Sequence, residues 1–85
     1  MDFLLSEVSL AANQAVVVDL DHQANVKVMD ASNFERYRRG ESHRYYGGLA
    51  ARSPVAIRPP HGGRWFVTVD LGGRSGRIRA AVRVQ

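Results

Sequence analysis

The sequence predicts a mainly β domain, a small antiparallel β-sandwich or jelly-roll-like barrel with one short helix at about residues 33–39. Three observations predict it. Apolar residues alternate with period two through most of the chain, and successive side chains of a strand point to opposite faces. Glycine- and proline-rich punctuation, PPHGG (59–63) and GGRSG (72–76), separates those runs. A single segment, DASNFERYRRGE (30–41), breaks the period and reads as helix.

Taken in order, DFLLSEV (2–8) offers a further strand ahead of the clearer ones. In QAVVVDL (14–20), Val16, Val18 and Leu20 share a face opposite Ala15, Val17 and Asp19. DHQA then turns the chain into NVKVMD, where Val26 and Val28 flank an outward Lys27. In the helical segment Ser32 or Asn33 serves as N-cap and Gly40 as the stop, because glycine readily takes the left-handed conformation that ends helices. Phe34 and Tyr37 lie on one face and must pack against a sheet, since a helix of about two turns is not stable alone. The stretch HRYYGGLAAR (43–52) has no period and reads as a crossover loop. SPVAIRP (53–59) turns Val55 and Ile57 inward. RWFVTVDL (64–71) puts Trp65, Val67, Val69 and Leu71 opposite Arg64, Phe66, Thr68 and Asp70. GRIRAAVRV (76–84) sets Ile78, Ala80, Val82 and Val84 against Arg77, Arg79, Ala81 and Arg83. Both glycine-rich turns read as hairpin connections, and the second would place Asp70 opposite Arg77 or Arg79.

Eighty-five residues fit one domain, 1–85, with a thin core. Without cysteine there is neither a disulfide nor a thiolate metal site. MDFLLSEVSL lacks the basic and apolar regions of a signal peptide, and no segment approaches the ~20 apolar residues of a membrane span, so a cytoplasmic protein with no membrane contact is expected. The net charge of +4 is unevenly spread. Residues 1–41 carry seven acids and four bases, whereas residues 42–85 carry eight arginines and a single acid, Asp70. Arginine's planar fork suits carboxylates and phosphates. The two halves can equally neutralise each other by packing together.

Catalytic chemistry finds no foothold. His22, His43 and His61 are far apart in sequence and no pair has metal-ligand spacing. GGRSG is not a nucleophile elbow, because Arg77 stands where the second glycine belongs. A non-enzymatic binding or protein-interaction module is therefore expected, with no metal and no cofactor. Its candidate contact surface is Arg44, Tyr45, Tyr46, Gly47, Gly48 and Arg52, with the helix residues Arg36 and Arg39 beside it. Tyrosine supplies contact area at low entropic cost, paired glycines admit close approach, and the arginines suit an anion. The partner would be a protein or a small anionic ligand. The alternative is anion or single-stranded nucleic-acid binding on a basic sheet face made of Arg58, Arg77, Arg79 and Arg83, with Phe66 as a stacking platform. A third expectation is a homodimer formed through an edge strand.

The run from Ala24 to Gln85 resembles a bacterial family catalogued as domain of unknown function 1883. The likeness lies in an ordered series: a strand leading into VMDASNFERY, a Tyr-Gly-Gly loop ahead of SPV, a tryptophan strand, DLGG and a last alternating strand. Asn33, Phe34, Tyr37, Tyr46, Gly47, Gly48, Trp65, Asp70, Leu71, Gly72 and Gly73 occupy its motif positions. The resemblance implies a small β-rich domain, found alone or joined to signalling-type modules such as Toll/interleukin receptor-like domains. It implies no activity and no catalytic residues.

Overall fold

A computed structural model describes residues 2–85. Among the described residues, seven strands and one helix follow one another as β1 (Leu4–Leu10), β2 (Val16–Leu20), β3 (Ala24–Met29), α1 (Ala31–Arg38), β4 (Tyr46–Ala50), β5 (Val55–Ile57), β6 (Gly63–Asp70) and β7 (Ala80–Val84). They form a two-layer antiparallel sandwich, with a four-stranded sheet in the order β1-β6-β3-β4 facing a three-stranded sheet in the order β5-β2-β7. The β-sandwich expectation is met, including a strand in the segment 2–8.

The alternation explains the core. Leu10, Val26, Val28, Trp65, Val67 and Val69 from the larger sheet meet Val16, Val18 and Ile57 from the smaller one, all buried. Two stacked sheets leave a layer about 10 Å thick, which β-branched side chains in extended backbone fill well.

The connections differ from the hairpins expected. β6 lies in the larger sheet and β7 in the smaller, so GGRSG belongs to a segment crossing between layers. Asp70 therefore faces neither Arg77 nor Arg79 across a ladder. PPHGG likewise carries the chain from β5 to β6 across the sandwich. Only the connection that contains α1, from β3 to its neighbour β4, returns to the same sheet. An alternating pattern fixes which side chains face the core. It says nothing about whether the next strand pairs alongside or lies opposite, because both choices satisfy the same burial.

The helix begins earlier than expected. Asp30, in extended backbone, is the N-cap and its carboxylate accepts the Asn33 N–H at 2.9 Å, in place of Ser32 or Asn33. Its end is as expected. Gly40, with φ +77°, follows the cap residue Arg39, its N–H donates to the Tyr37 carbonyl, and the Glu41 N–H donates to that of Arg36. Phe34 and Tyr37 pack with Met29, Phe3 and Phe66 on the outer face of the larger sheet, forming a second small core. Phe34 stacks on Phe66 at 4.9 Å with nearly parallel rings.

Candidate interaction surface

Beneath the helix lies a buried polar cluster. Asp70 is 3% exposed, and its carboxylate accepts three hydrogen bonds: from the Tyr37 hydroxyl at 2.7 Å, Asn25 Nδ2 at 2.9 Å and the Gly72 N–H at 2.8 Å. Burial raises its pKa, but these donors and the nearby Lys27 charge outweigh burial and hold it below the ordinary aspartate value. Burial, with Asp70 as acceptor and neighbouring charge, raises the pKa of the Tyr37 phenol. Asp70 therefore ties β6, β3, α1 and the start of the segment after β6 together. The expected partners, Arg77 and Arg79, are replaced by Tyr37, Asn25 and Gly72.

From the helix end, residues 40–45 run back along α1. The Asn33 side chain accepts the Arg44 N–H at 2.8 Å, and the His43 ring contacts the Glu41 carbonyl at 2.9 Å and Lys27 Nζ at 3.2 Å. That pattern is met when Nδ1 carries the ring proton and Nε2 accepts from the ammonium. Lys27 also lies over the Tyr45 ring, 4.4 Å from its centroid.

The next segment is strand where a loop was expected: Tyr46–Ala50 pairs with β3 as the outermost strand of its sheet. The missed signal is YYGGLA itself, whose double glycine masks the alternation. Gly47 and Gly48 have φ of +110° and +140°. A Cβ at Gly47 would stand 2.3 Å from the Val26 carbonyl oxygen, so the close approach of β3 and β4 requires glycine there.

Tyr45 and Tyr46 point to opposite sides, as adjacent residues in extended backbone should. Tyr45 leans on Lys27 and His43, while Tyr46 meets the core tryptophan Trp65 edge-on at 5.9 Å. Both remain about two-fifths exposed, at 42% and 44%, and Leu49 beyond them is 67% exposed. Arg44 and Arg52 stand at opposite ends of β4. At ~3.3 Å per residue, the five-residue strand separates them by ~16 Å or more, too far to grip one small anion together. Arg36 and Arg39 lie on the last turn of α1 and at its cap, and Arg39 is 3.9 Å from Glu35.

The alternative basic face loses its stacking platform, while register keeps Arg83 on the same side of the smaller sheet as Ala56, two residues before Arg58. Arg83 lies on β7 of the smaller sheet, ion-paired with Asp19 of β2. Arg58 follows β5, and Arg77 and Arg79 lie in the crossing segment. Phe66 sits on the outer face of the other sheet, covered by Phe34, so it is not a stacking platform beside those arginines. The packing of the helix on β6, which local sequence does not reveal, decides this.

Among the described residues no three His, Cys, Asp or Glu side chains cluster as metal ligands would, and no helix is long and apolar enough to cross a membrane. No curated protein and no solved structure matches the chain. A family model does match it, over residues 1–85: the chain belongs to the family described as Domain of unknown function (DUF1883).

Proposed function

We propose that the domain is a non-enzymatic protein-interaction module that takes up an extended, acidic segment of a partner protein along the free edge of β4. The carrying observation is an undefended sheet edge. Four strands lie at sheet edges: β1, β4, β5 and β7. β1 carries Glu7, β7 carries Arg83, and β5 is three residues long with Pro54 just before it. Charges, prolines and shortness are the usual means of blocking edge-to-edge pairing. β4, with the sequence YGGLA, has none of the three and exposes Tyr46 and Leu49.

Such an edge binds by strand addition: main-chain hydrogen bonds supply affinity and alternate side chains supply selectivity. The charge distribution chooses the partner's sign. Arg44 and Arg52 bracket the strand, and residues 42–85 hold eight arginines against one acid. Their separation suits carboxylates spaced along an extended chain. The setting is the cytoplasm of a bacterium.

The test is an amide NMR titration with a capped decapeptide alternating glutamate and valine, against its lysine counterpart. Expected are shifts at residues 44–52 and in β3 with the glutamate peptide alone, and binding about tenfold weaker in the Arg44→Ala, Arg52→Ala double variant, at up to ~1 kcal/mol for each exposed charge pair. Absence of peptide shifts in β4 overturns the reading. So does concentration-dependent pairing of β4 without peptide, which would make a second copy of this chain the occupant.

A further inference from the structure

The segment between β6 and β7, residues 71–79, carries Arg74, Arg77 and Arg79 and no acid. Its ends are fixed. Asp70 holds the Gly72 N–H, while Asp21 accepts the Arg79 N–H at 2.8 Å and donates its own N–H to the Arg79 carbonyl at 3.2 Å. Four arginines find carboxylates: Arg38 and Arg39 meet Glu35, Arg64 meets Glu7, and Arg83 meets Asp19. Among the described residues, Arg74 and Arg77 have no such partner, nor do Arg36, Arg44, Arg52, Arg58 and Arg79.

A cleft opens on each side of this segment. The one toward the N-terminus, about 840 Å³, is also lined by Asp2 and Asp70, which oppose an anion. The other, about 700 Å³, lies between residues 22–25 and 71–77 and has no carboxylate in its lining. Arg74, Arg77 and Leu71 border both clefts; in this one they are joined by His22, Gln23 and the apolar Leu49. The acids next in sequence to its lining are already engaged: Asp70 by its three donors, and Asp21 by the Arg79 N–H and His22. The volume falls within the ~300–1,000 Å³ of small-ligand sites, which combine apolar walls with a few placed polar groups. Two guanidinium forks in a lining that contains no carboxylate suit a dianionic oxyanion, and phosphate above all.

We propose that this cleft is a binding site for a small phosphate monoester, its phosphate held by Arg74 and Arg77 and its organic body resting on Leu49 and Leu71. The site is independent of strand addition at β4, although Leu49 borders both.

The experiment is a titration of the labelled domain with phenyl phosphate, inorganic phosphate and phenol. Saturable shifts at residues 22–25 and 72–77 are expected with phenyl phosphate, weaker binding with inorganic phosphate, and none with phenol. Arg74→Gln with Arg77→Gln should weaken phenyl phosphate at least about tenfold, as loss of a charge-assisted hydrogen bond does. That double variant should still bind the glutamate peptide, and the Arg44→Ala, Arg52→Ala variant should still bind phenyl phosphate, so either reading can fail alone. Both guanidiniums are exposed, and an unchanged circular dichroism spectrum confirms the fold. Unchanged affinity in the Arg74→Gln, Arg77→Gln variant overturns the site. Inorganic phosphate binding as tightly as the ester overturns the role given to Leu49 and Leu71.

Discussion

Asp70 shows how one residue's environment sets its role. In sequence it is the lone acid of a basic half; in the fold it is a buried carboxylate with three donors. Tyr37→Phe removes one donor and leaves the charge under-solvated, a loss of about 1.5–3 kcal/mol readable in urea unfolding. The same pair sets both ends of the pH profile. Asp70 has a depressed folded-state pKa, so its stabilising contribution is present at neutral pH and is lost as pH falls below the ordinary aspartate range. Tyr37 has a raised one, so its contribution is full below the ordinary tyrosine value near 10 and declines as pH rises above it. Urea midpoints of the Tyr37→Phe protein should therefore fall less steeply above about pH 10 than those of the parent. Next to this pair, the fully buried Thr68 hydroxyl lies against Tyr37 but makes no well-formed hydrogen bond among the described residues. Thr68→Val keeps the shape and removes an unsatisfied group, so it should leave stability unchanged or raise it by up to ~1 kcal/mol.

At the scale of elements, two glycines do different work. Gly40 ends α1 at φ +77° with open space around its α-carbon, so Gly40→Ala meets conformational strain alone. It should cost about 1 kcal/mol and fray the last turn, seen as faster amide exchange at Tyr37–Gly40. Gly47→Ala drives a methyl into the Val26 carbonyl as well. It should separate β4 from β3, exposing the amides of residues 46–50 to exchange and abolishing peptide binding, while the buried network at Asp70 stays protected. The helix was legible because Phe34, Tyr37 and Gly40 carry a local signal. β4 was not, since glycines have no side chain with which to show a period. Its neighbour in space, β3, precedes it by a whole helix in sequence.

For the whole molecule, the two halves of the chain interleave. Glu7 pairs with Arg64 and Asp19 with Arg83, each joining an acid of the first half to an arginine of the second. Such exposed pairs contribute only ~0–1 kcal/mol apiece, so the sandwich rests on its apolar core. Trp65, 3% exposed and wedged between the sheets with its indole N–H donating to the His61 carbonyl at 3.2 Å, is the largest side chain there. Trp65→Ala should remove about 3–5 kcal/mol, a large share of the ~5–15 kcal/mol that holds a domain together, and a thermal melt should show a Tm lowered by at least ~12 °C.

By itself the sequence determined the fold class, the buried side of strands such as β3 and β6, the place where the helix stops and the family. Each follows from a period, a cap or a motif contained in a few consecutive residues. Tertiary structure alone decided which strands pair, that GGRSG crosses between sheets, that β4 is an edge, that Asp70 is held by Tyr37 and Asn25, and that Phe66 lies under a helix rather than beside the last arginines. Alternation is blind to the neighbour. A strand with one apolar face satisfies the same burial whether the next segment pairs beside it or packs across from it, and the choice falls to the summed packing of distant parts of the chain.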